Sequence, residues 1–165
     1  MKRVAMAGSY ETGSYGSTMK GTYVLILELL ADSSVSIGKL GAISFEQGSY
    51  AYVGSAMSGL DQRIQRHLRH PGAGKKLHWH IDYFLAHPAV QPRAVIAAET
   101  EERWECKIAT QLAQQFSPVP HFGCSDCSCT THLFFAPERA ELEARVKECF
   151  HDVRTVLRTT TINPV

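Results

Sequence analysis

The order of apolar and polar residues along the chain predicts a series of short strands. A nearly continuous apolar run at 23–29 has the length of a strand that is buried on both faces. Alternating residues at 35–37 and apolar segments at 42–45 and 50–53 follow, with turn signals between them. This spacing predicts an antiparallel meander. Further strand candidates lie at 95–98 and 132–135.

Apolar residues at four-residue spacing predict helices in the remainder. The first helix carries Leu60, Ile64 and Leu68 on one face and ends before Pro71. A second is predicted over 100–116, and a third over 137–157, where apolar residues again recur at helical spacing. The sum predicts an α+β fold: a small, mostly antiparallel β-sheet flanked by about three helices.

Length and composition predict one globular domain. With 165 residues, of which 44% are hydrophobic and 20% charged, one domain is the default. We expect a flexible N-terminal arm at 1–20, a domain at 21–157 and a flexible tail at 158–165. The net charge of +1 excludes a strong overall field. No apolar run approaches the roughly 18 residues of a membrane span, so we expect no membrane partner.

Glu105 interrupts the apolar face of the second predicted helix. At about 100° per residue it falls on the same side as Ile108 and Leu112. A carboxylate there is costly unless it is paired or binds a cation. The alternative is a partly exposed Glu near the helix start, where the helix dipole tolerates a negative charge.

A basic segment without any acidic residue runs from 63 to 76. Phosphate is the commonest partner of such a face, although an ordinary solvated helix surface is the alternative. Just beyond it, two histidines alternate and would share a face of an extended chain, where they bind metal or phosphate or merely pack beside Trp79 and Tyr83. The candidate phosphate contacts are Arg63, Arg66, Arg69, Lys75, Lys76, His78 and His80.

Three of the five cysteines crowd into 124–129. An odd number in this arrangement is not a disulfide framework and suits a reducing, cytoplasmic compartment. Cys124, Cys127, Cys129 and His132 supply the four ligands of a candidate structural zinc site. Reduced structural cysteines, or a redox role, are the alternatives. The other two, at 106 and 149, lie in helical patterns and look like small core residues.

Several of these segments together resemble a GIY-YIG nuclease domain. Residues 21–23 correspond to its first tripeptide and 52–54 to its second. Arg63 and His67 on the next helix resemble the segment after the second tripeptide, and Glu105 on the helix after that takes the place of the family's metal-binding Glu. The set resembles more specifically a GIY-YIG-related family of uncharacterised domains, some fused to endonuclease III-type DNA repair enzymes. That likeness rests on the stretches 38–41, 52–56, 78–83, 105–106 and 126–133. A hairpin-like insertion separates the two tyrosine strands without preventing their adjacent pairing.

The resemblance implies a divalent-metal-dependent endonuclease that hydrolyses DNA phosphodiester bonds in repair or processing. Glu105 would bind Mg²⁺ or Mn²⁺, and Arg63 would hold the phosphate. Tyr23 would be the base or water-orienting group with Tyr52 as its hydrogen-bond partner, while His67 is a chemically better base near neutral pH. DNA is favoured over RNA, and a DNA repair protein is a candidate partner. The alternatives are a non-catalytic nucleic-acid-binding module and an interaction domain built around a zinc knuckle.

Overall fold

A computed structural model describes residues 19–69, 74–124, 127–151, 153 and 157–162. The predicted arm at 1–20 lies almost wholly outside these residues, as does the end of the predicted tail. The expected α+β class is confirmed. The strands are β1 (Gly21–Leu29), β2 (Ser33–Ser36), β3 (Ala42–Phe45), β4 (Gly48–Ala56), β5 (Val90–Glu99), β6 (Ser117–Pro118), β7 (Leu133–Ala136) and β8 (Leu157–Thr161). The helices are α1 (Leu60–Leu68), α2 (His80–Ala86), α3 (Glu105–Ala113) and α4 (Arg139–Cys149).

The main sheet has six antiparallel strands in the order β6-β7-β4-β1-β5-β8, and β2 and β3 form a separate hairpin. The predicted meander is therefore wrong, because β1 pairs with β4 and β5 rather than with β2. The reason is burial: every residue of β1 except Glu28 is buried, so the strand needs long neighbours on both edges. The hairpin strands have four residues each, and only Val35 and Phe45 among them are buried. The two tyrosine strands, β1 and β4, pair directly, so the insertion between them does not prevent their pairing.

The sheet is covered on both faces, which explains the continuous apolar run of β1. Residues of β1 alternate between two hydrophobic clusters. Tyr23, Leu25 and Leu27 pack with α1, α2 and the hairpin, whereas Val24 and Ile26 pack with α3 and α4. In the described residues, no helix is both long and apolar enough to cross a membrane.

Three points about the helices need correction. The extended chain on which His78 and His80 would share a face does not continue through His80, because α2 begins there, and the Asp82 carboxylate accepts the backbone N–H groups of His78 and Trp79. This adds a fourth helix among the described residues. The second predicted helix spans only α3, and the third stops at Cys149, short of the predicted 157.

The flexible tail predicted for 158–165 is also wrong in its first part. Residues up to Thr161 belong to β8, which pairs with β5 from Ala98↔Leu157 to Ala94↔Thr161. Its threonines favour extended backbone, and it covers an edge of β5 that would otherwise expose unpaired backbone groups.

Phe84 of α2 ties the hairpin and α2 to the sheet. It is fully buried, and its ring centroid lies 4.6 Å from that of Phe45 and 5.3 Å from that of Tyr50. We expect Phe84→Ala to lower the free energy of unfolding by about 3–5 kcal/mol, because it leaves a cavity in the core. Urea denaturation measures this, with Leu77→Ala as an exposed control that should cost less than about 0.5 kcal/mol. Equal losses for the two variants would contradict this packing.

Candidate active site

A cavity of about 390 Å³ opens at the end of the sheet where β1 begins and β4 ends. Residues far apart in sequence line it, supplied by β1, β4, α1, α3 and the loops around them. All five residues predicted as catalytic lie in this lining: Tyr23, Tyr52, Arg63, His67 and Glu105. These five residues, spread over more than 80 positions of the chain, therefore converge in space.

The position of Tyr23 depends on the glycine opposite it. Tyr23 on β1 pairs with Gly54 on β4, and a Cβ atom at Gly54 would overlap the Tyr23 ring. The absence of a side chain at Gly54 lets the ring lie flat across the neighbouring strand and reach the cavity. The tyrosine and the glycine of the two motifs thus form one packing unit.

Tyr23 and His67 form a buried hydrogen-bonded pair. The Tyr23 hydroxyl lies 2.7 Å from Nε2 of His67, and both side chains are almost fully buried. Burial is the main cause that raises the pKa of Tyr23 well above its ordinary value. Burial also lowers the pKa of His67 to about 3, so the imidazole is neutral near pH 7. Nδ1 of His67 has no hydrogen-bond partner among the described residues.

Tyr52 lies beside this pair. Its ring packs edge-on against His67, with centroids 6.1 Å apart, and against Phe122. Burial, followed by the negative charge of Glu105, raises the pKa of Tyr52 far above its ordinary value. Both tyrosines therefore stay protonated at neutral pH unless a cation enters the cavity.

Arg63 presents a partly committed guanidinium to the cavity. Nη1 donates to the backbone carbonyl of Ser55 at 2.7 Å, and the guanidinium lies 5.0 Å from the centre of the Trp79 ring. An arginine has five N–H donors, so most remain for an anionic ligand. The contacts with Ser55 and Trp79 fix the direction of the fork.

Glu105 is the first residue of α3 and is held by two partners. Its carboxylate accepts hydrogen bonds from the Ser55 hydroxyl and from Nδ1 of His132, the latter at 3.0 Å. Partial burial acts to raise the pKa of Glu105, but the bonds from His132 and Ser55 outweigh it and lower that pKa. The side chain is 23% exposed, so both sequence interpretations contain part of the answer: Glu105 lies at the helix start, and it is paired.

Two of the predicted phosphate contacts are directed into the protein. Arg66 binds the buried carboxylate of Asp82 at 2.9 and 3.2 Å, and the Lys75 ammonium lies 3.9 Å from the same carboxylate. The side chains of Arg69 and Lys76 point to solvent outside the cavity. The basic segment therefore does not form one continuous cationic face: part of its charge neutralises Asp82.

The two histidines that follow lie at the rim of the cavity. The His78 ring packs against Trp79, and Nδ1 of His80 accepts the backbone N–H of Gly123 at 2.9 Å. Burial lowers the pKa of His80. His80 thus fixes the loop below Tyr52, whose ring lies close to Gly123.

A cluster of four potential metal ligands adjoins Glu105. The Sγ atoms of Cys106, Cys127 and Cys129 and a ring nitrogen of His132 all lie within 4.8 Å of one another. The sequence-predicted set is wrong at Cys124, whose thiol instead faces the carbonyl of Thr130 at 3.5 Å. Its place is taken by Cys106, which the first turn of α3 directs toward the loop rather than into the core.

All five cysteines are free thiols. Burial acts to raise the pKa of Cys127, but hydrogen bonds from Cys129 and the charge of His132 outweigh it and lower that pKa. Cys149 is buried in the second hydrophobic cluster, as expected of a small core residue.

Sequence reasoning missed three contributors to this region. Asp82 lies in the stretch 78–83, where a carboxylate gives no local sign of which cations it will bind. Arg103 lines the cavity from an exposed turn before α3 and lies in no motif. Cys106 adjoins Glu105 in sequence, and that adjacency is the signal that links it to the site.

One protein family matches residues 22–155, from the start of β1 to beyond the end of α4. Its description is Domain of unknown function DUF123. No curated protein and no solved structure matches the chain.

The buried neutral state of His67 makes folding sensitive to acid. Between about pH 6.5 and pH 3 the unfolded chain binds a proton that the folded chain excludes, so stability falls as the pH drops through this window. The slope is about 1.4 kcal/mol per pH unit. We expect His67→Phe to remove this contribution, measured by urea denaturation at several pH values. The exposed His151→Gln serves as control, and a slope for His67→Phe equal to that of the unaltered protein would contradict the assignment.

Proposed function

Since the chain belongs to the DUF123 family over most of its length, a family whose description assigns no activity, we propose its function from the cavity: it is a GIY-YIG-type endonuclease that hydrolyses phosphodiester bonds in DNA. The observation that carries the proposal is the convergence of Tyr23, Tyr52, Arg63, His67 and Glu105 on one cavity. Phosphodiester hydrolysis needs an oriented water, neutralisation of the phosphate charge and help for the leaving oxygen. The five residues offer at least one group for each of these three tasks.

Arg63 binds the scissile phosphate. Its guanidinium is already oriented by Ser55 and Trp79, and its remaining N–H donors match two phosphate oxygens. Arg103, which also lines the cavity, adds a second positive charge. Because Arg66 and Lys75 are engaged with Asp82, these two arginines carry more of the phosphate contact than the charge run suggested.

Tyr23 orients the attacking water, and His67 supports it. The 2.7 Å bond lets neutral His67 accept the Tyr23 proton at Nε2, or donate its own N–H so that the tyrosine hydroxyl points at the water. Both arrangements suit a water-orienting role, while the raised pKa of Tyr23 disfavours a free tyrosinate. A positive charge in the cavity would lower that pKa and strengthen Tyr23 as a base.

The carboxylate oxygens of Glu105 are suitable ligands for Mg²⁺. Each of its oxygens accepts one hydrogen bond, and a carboxylate has about four acceptor sites, so capacity remains for an ion. Mg²⁺ commonly binds one or two carboxylates together with waters and phosphate oxygens. When bound, the ion supplies charge neutralisation for the leaving oxygen.

The neighbouring cluster suits a different metal. Three thiols and an imidazole are soft or borderline ligands, and four of them match the tetrahedral preference of Zn²⁺. We therefore assign zinc to Cys106, Cys127, Cys129 and His132, and a separate hard cation to Glu105.

Removal of the Tyr23 hydroxyl tests the catalytic assignment. We expect Tyr23→Phe to lower Mg²⁺-dependent cleavage of DNA by about 10²–10⁴-fold, the usual contribution of an acid–base group. Gel assays with linear and branched DNA measure it. The variant should stay folded although Nε2 of His67 loses its partner. Tyr83→Phe, on α2 and outside the cavity lining, is the matched control and should keep full activity. Unchanged cleavage by Tyr23→Phe would refute the role, and binding of DNA without cleavage by the unaltered protein would favour a non-catalytic module.

Arg63 should dominate the salt dependence of DNA binding. We expect Arg63→Ala to weaken binding and to reduce the slope of log affinity against log salt by about one, since one phosphate contact is lost. Fluorescence anisotropy across salt concentrations measures the slope. Arg145→Ala, which removes an exposed charge paired with Glu148 on α4, should leave it unchanged. If both variants give the same slope, the cavity is not the phosphate site.

A further inference from the structure

His132 lies between the thiol cluster and the carboxylate of the cavity. Its Nδ1 is 3.0 Å from Oε1 of Glu105, and its Nε2 is 3.4 Å from Sγ of Cys127. The side chain is 2% exposed, so both ring nitrogens are committed to these two neighbours and not to bulk solvent. The imidazole is therefore a direct bridge between the two groups.

We propose that a single zinc ion, held by Cys106, Cys127, Cys129 and His132, positions Glu105 through the imidazole of His132. The inference rests on the proposed function only in what the positioned carboxylate then does. The metal site and its link to Glu105 stand on contacts within this chain. Glu105 is the residue that lines the cavity, and the zinc ion affects it only through its contact with His132.

The four ligands come from two parts of the chain that the ion would join. Cys106 belongs to the first turn of α3, while the other three precede β7. In a tetrahedral zinc site the ligand atoms lie about 3.7 Å apart, given zinc–sulfur distances of about 2.3 Å. The observed separations, all within 4.8 Å, need only a small contraction to reach that arrangement. Because Cys106 follows Glu105 directly, the ion also fixes the start of α3.

The chemistry of imidazole makes the link directional. An ion on Nε2 requires the ring proton to sit on Nδ1, where it donates to Oε1 of Glu105. The Ser55 hydroxyl holds the other oxygen. The carboxylate is then fixed at both oxygens, in the manner of the carboxylate–histidine–zinc arrangements in which an outer group sets the orientation of a ligand. Here the same contact orients the outer group as well.

Metal content and a cobalt spectrum test the ligand set. We expect one zinc per chain in the protein purified under reducing conditions. The Co²⁺-substituted protein should show a tetrahedral spectrum whose thiolate-to-metal absorption falls by about one third in Cys129→Ser, from three thiolates to two. Cys124→Ser lies in the same loop outside the cluster and should leave both readings unchanged. A chain without metal, or equal losses in the two variants, would overturn the site.

Zinc affinity tests the link to Glu105. We expect Glu105→Ala to weaken zinc binding by about 10–100-fold, as loss of an outer hydrogen-bond partner does. Competition with a chromophoric chelator measures it, with thiolate absorption confirming that three cysteines still bind. Glu102→Ala removes an exposed negative charge nearby and should change affinity less than about twofold, which separates the hydrogen bond from a general charge effect. By linkage, any affinity that Glu105 lends to zinc equals the stabilisation that zinc lends to the Glu105–His132 contact.

The outcomes separate this inference from the proposed function. Equal zinc affinity in Glu105→Ala and Glu102→Ala would overturn the link even in an active nuclease. A tenfold or greater loss in Glu105→Ala alone supports the link even if no DNA is cleaved, since neither measurement contains nucleic acid.

Discussion

The pairing of β1 with β4 is the constraint on which the cavity depends. It sets Tyr23 opposite Gly54, and a side chain at Gly54 would displace the aromatic ring. The same pairing carries Tyr52 into the neighbourhood of His67. It also places Ser55 opposite Thr22, and there the Ser55 carbonyl accepts an N–H of Arg63 while the Ser55 hydroxyl donates to Glu105. A shift of β4 by one residue against β1 would turn Tyr52 to the opposite face of the sheet from Tyr23. Strand register is thus the physical basis of the site.

The buried carboxylate of Asp82 stabilises the helices α1 and α2 that pack beside these strands. Asp82 is fully buried, and such a group is tolerated only when its acceptor sites are filled. Two backbone N–H groups and the Arg66 guanidinium fill them, with the Lys75 ammonium nearby. Arg66 in turn lies 4.5 Å from the centre of the Trp79 ring. The cavity wall formed by α1 and α2 is therefore held by a charge network, and its cations serve structure before they serve any ligand.

Long apolar runs and short ordered motifs made much of this molecule predictable. The strands β1, β4 and β5 could be predicted because burial on both faces leaves a continuous apolar pattern. The cavity residues could be predicted because they lie in short motifs that follow one another in a characteristic order. The rest depends on tertiary contacts. Nothing local shows that Cys106 leaves the apolar face of α3, that Asp82 captures neighbouring cations, or that threonines near 160 complete a sheet. In each case a partner distant in sequence decides the outcome.

The contacts of the cavity join parts of the chain that are far apart in sequence. Tyr23 and His67 are separated by 44 residues, and Ser55 and Glu105 by 50. Each such closure costs conformational entropy before its contact stabilises anything, so long-range pairings form late and together during folding. A chain still being synthesised has no complete cavity until His132 has emerged and joined α3. The cavity is therefore complete only after these distant contacts have formed, and partly folded forms lack an assembled cavity.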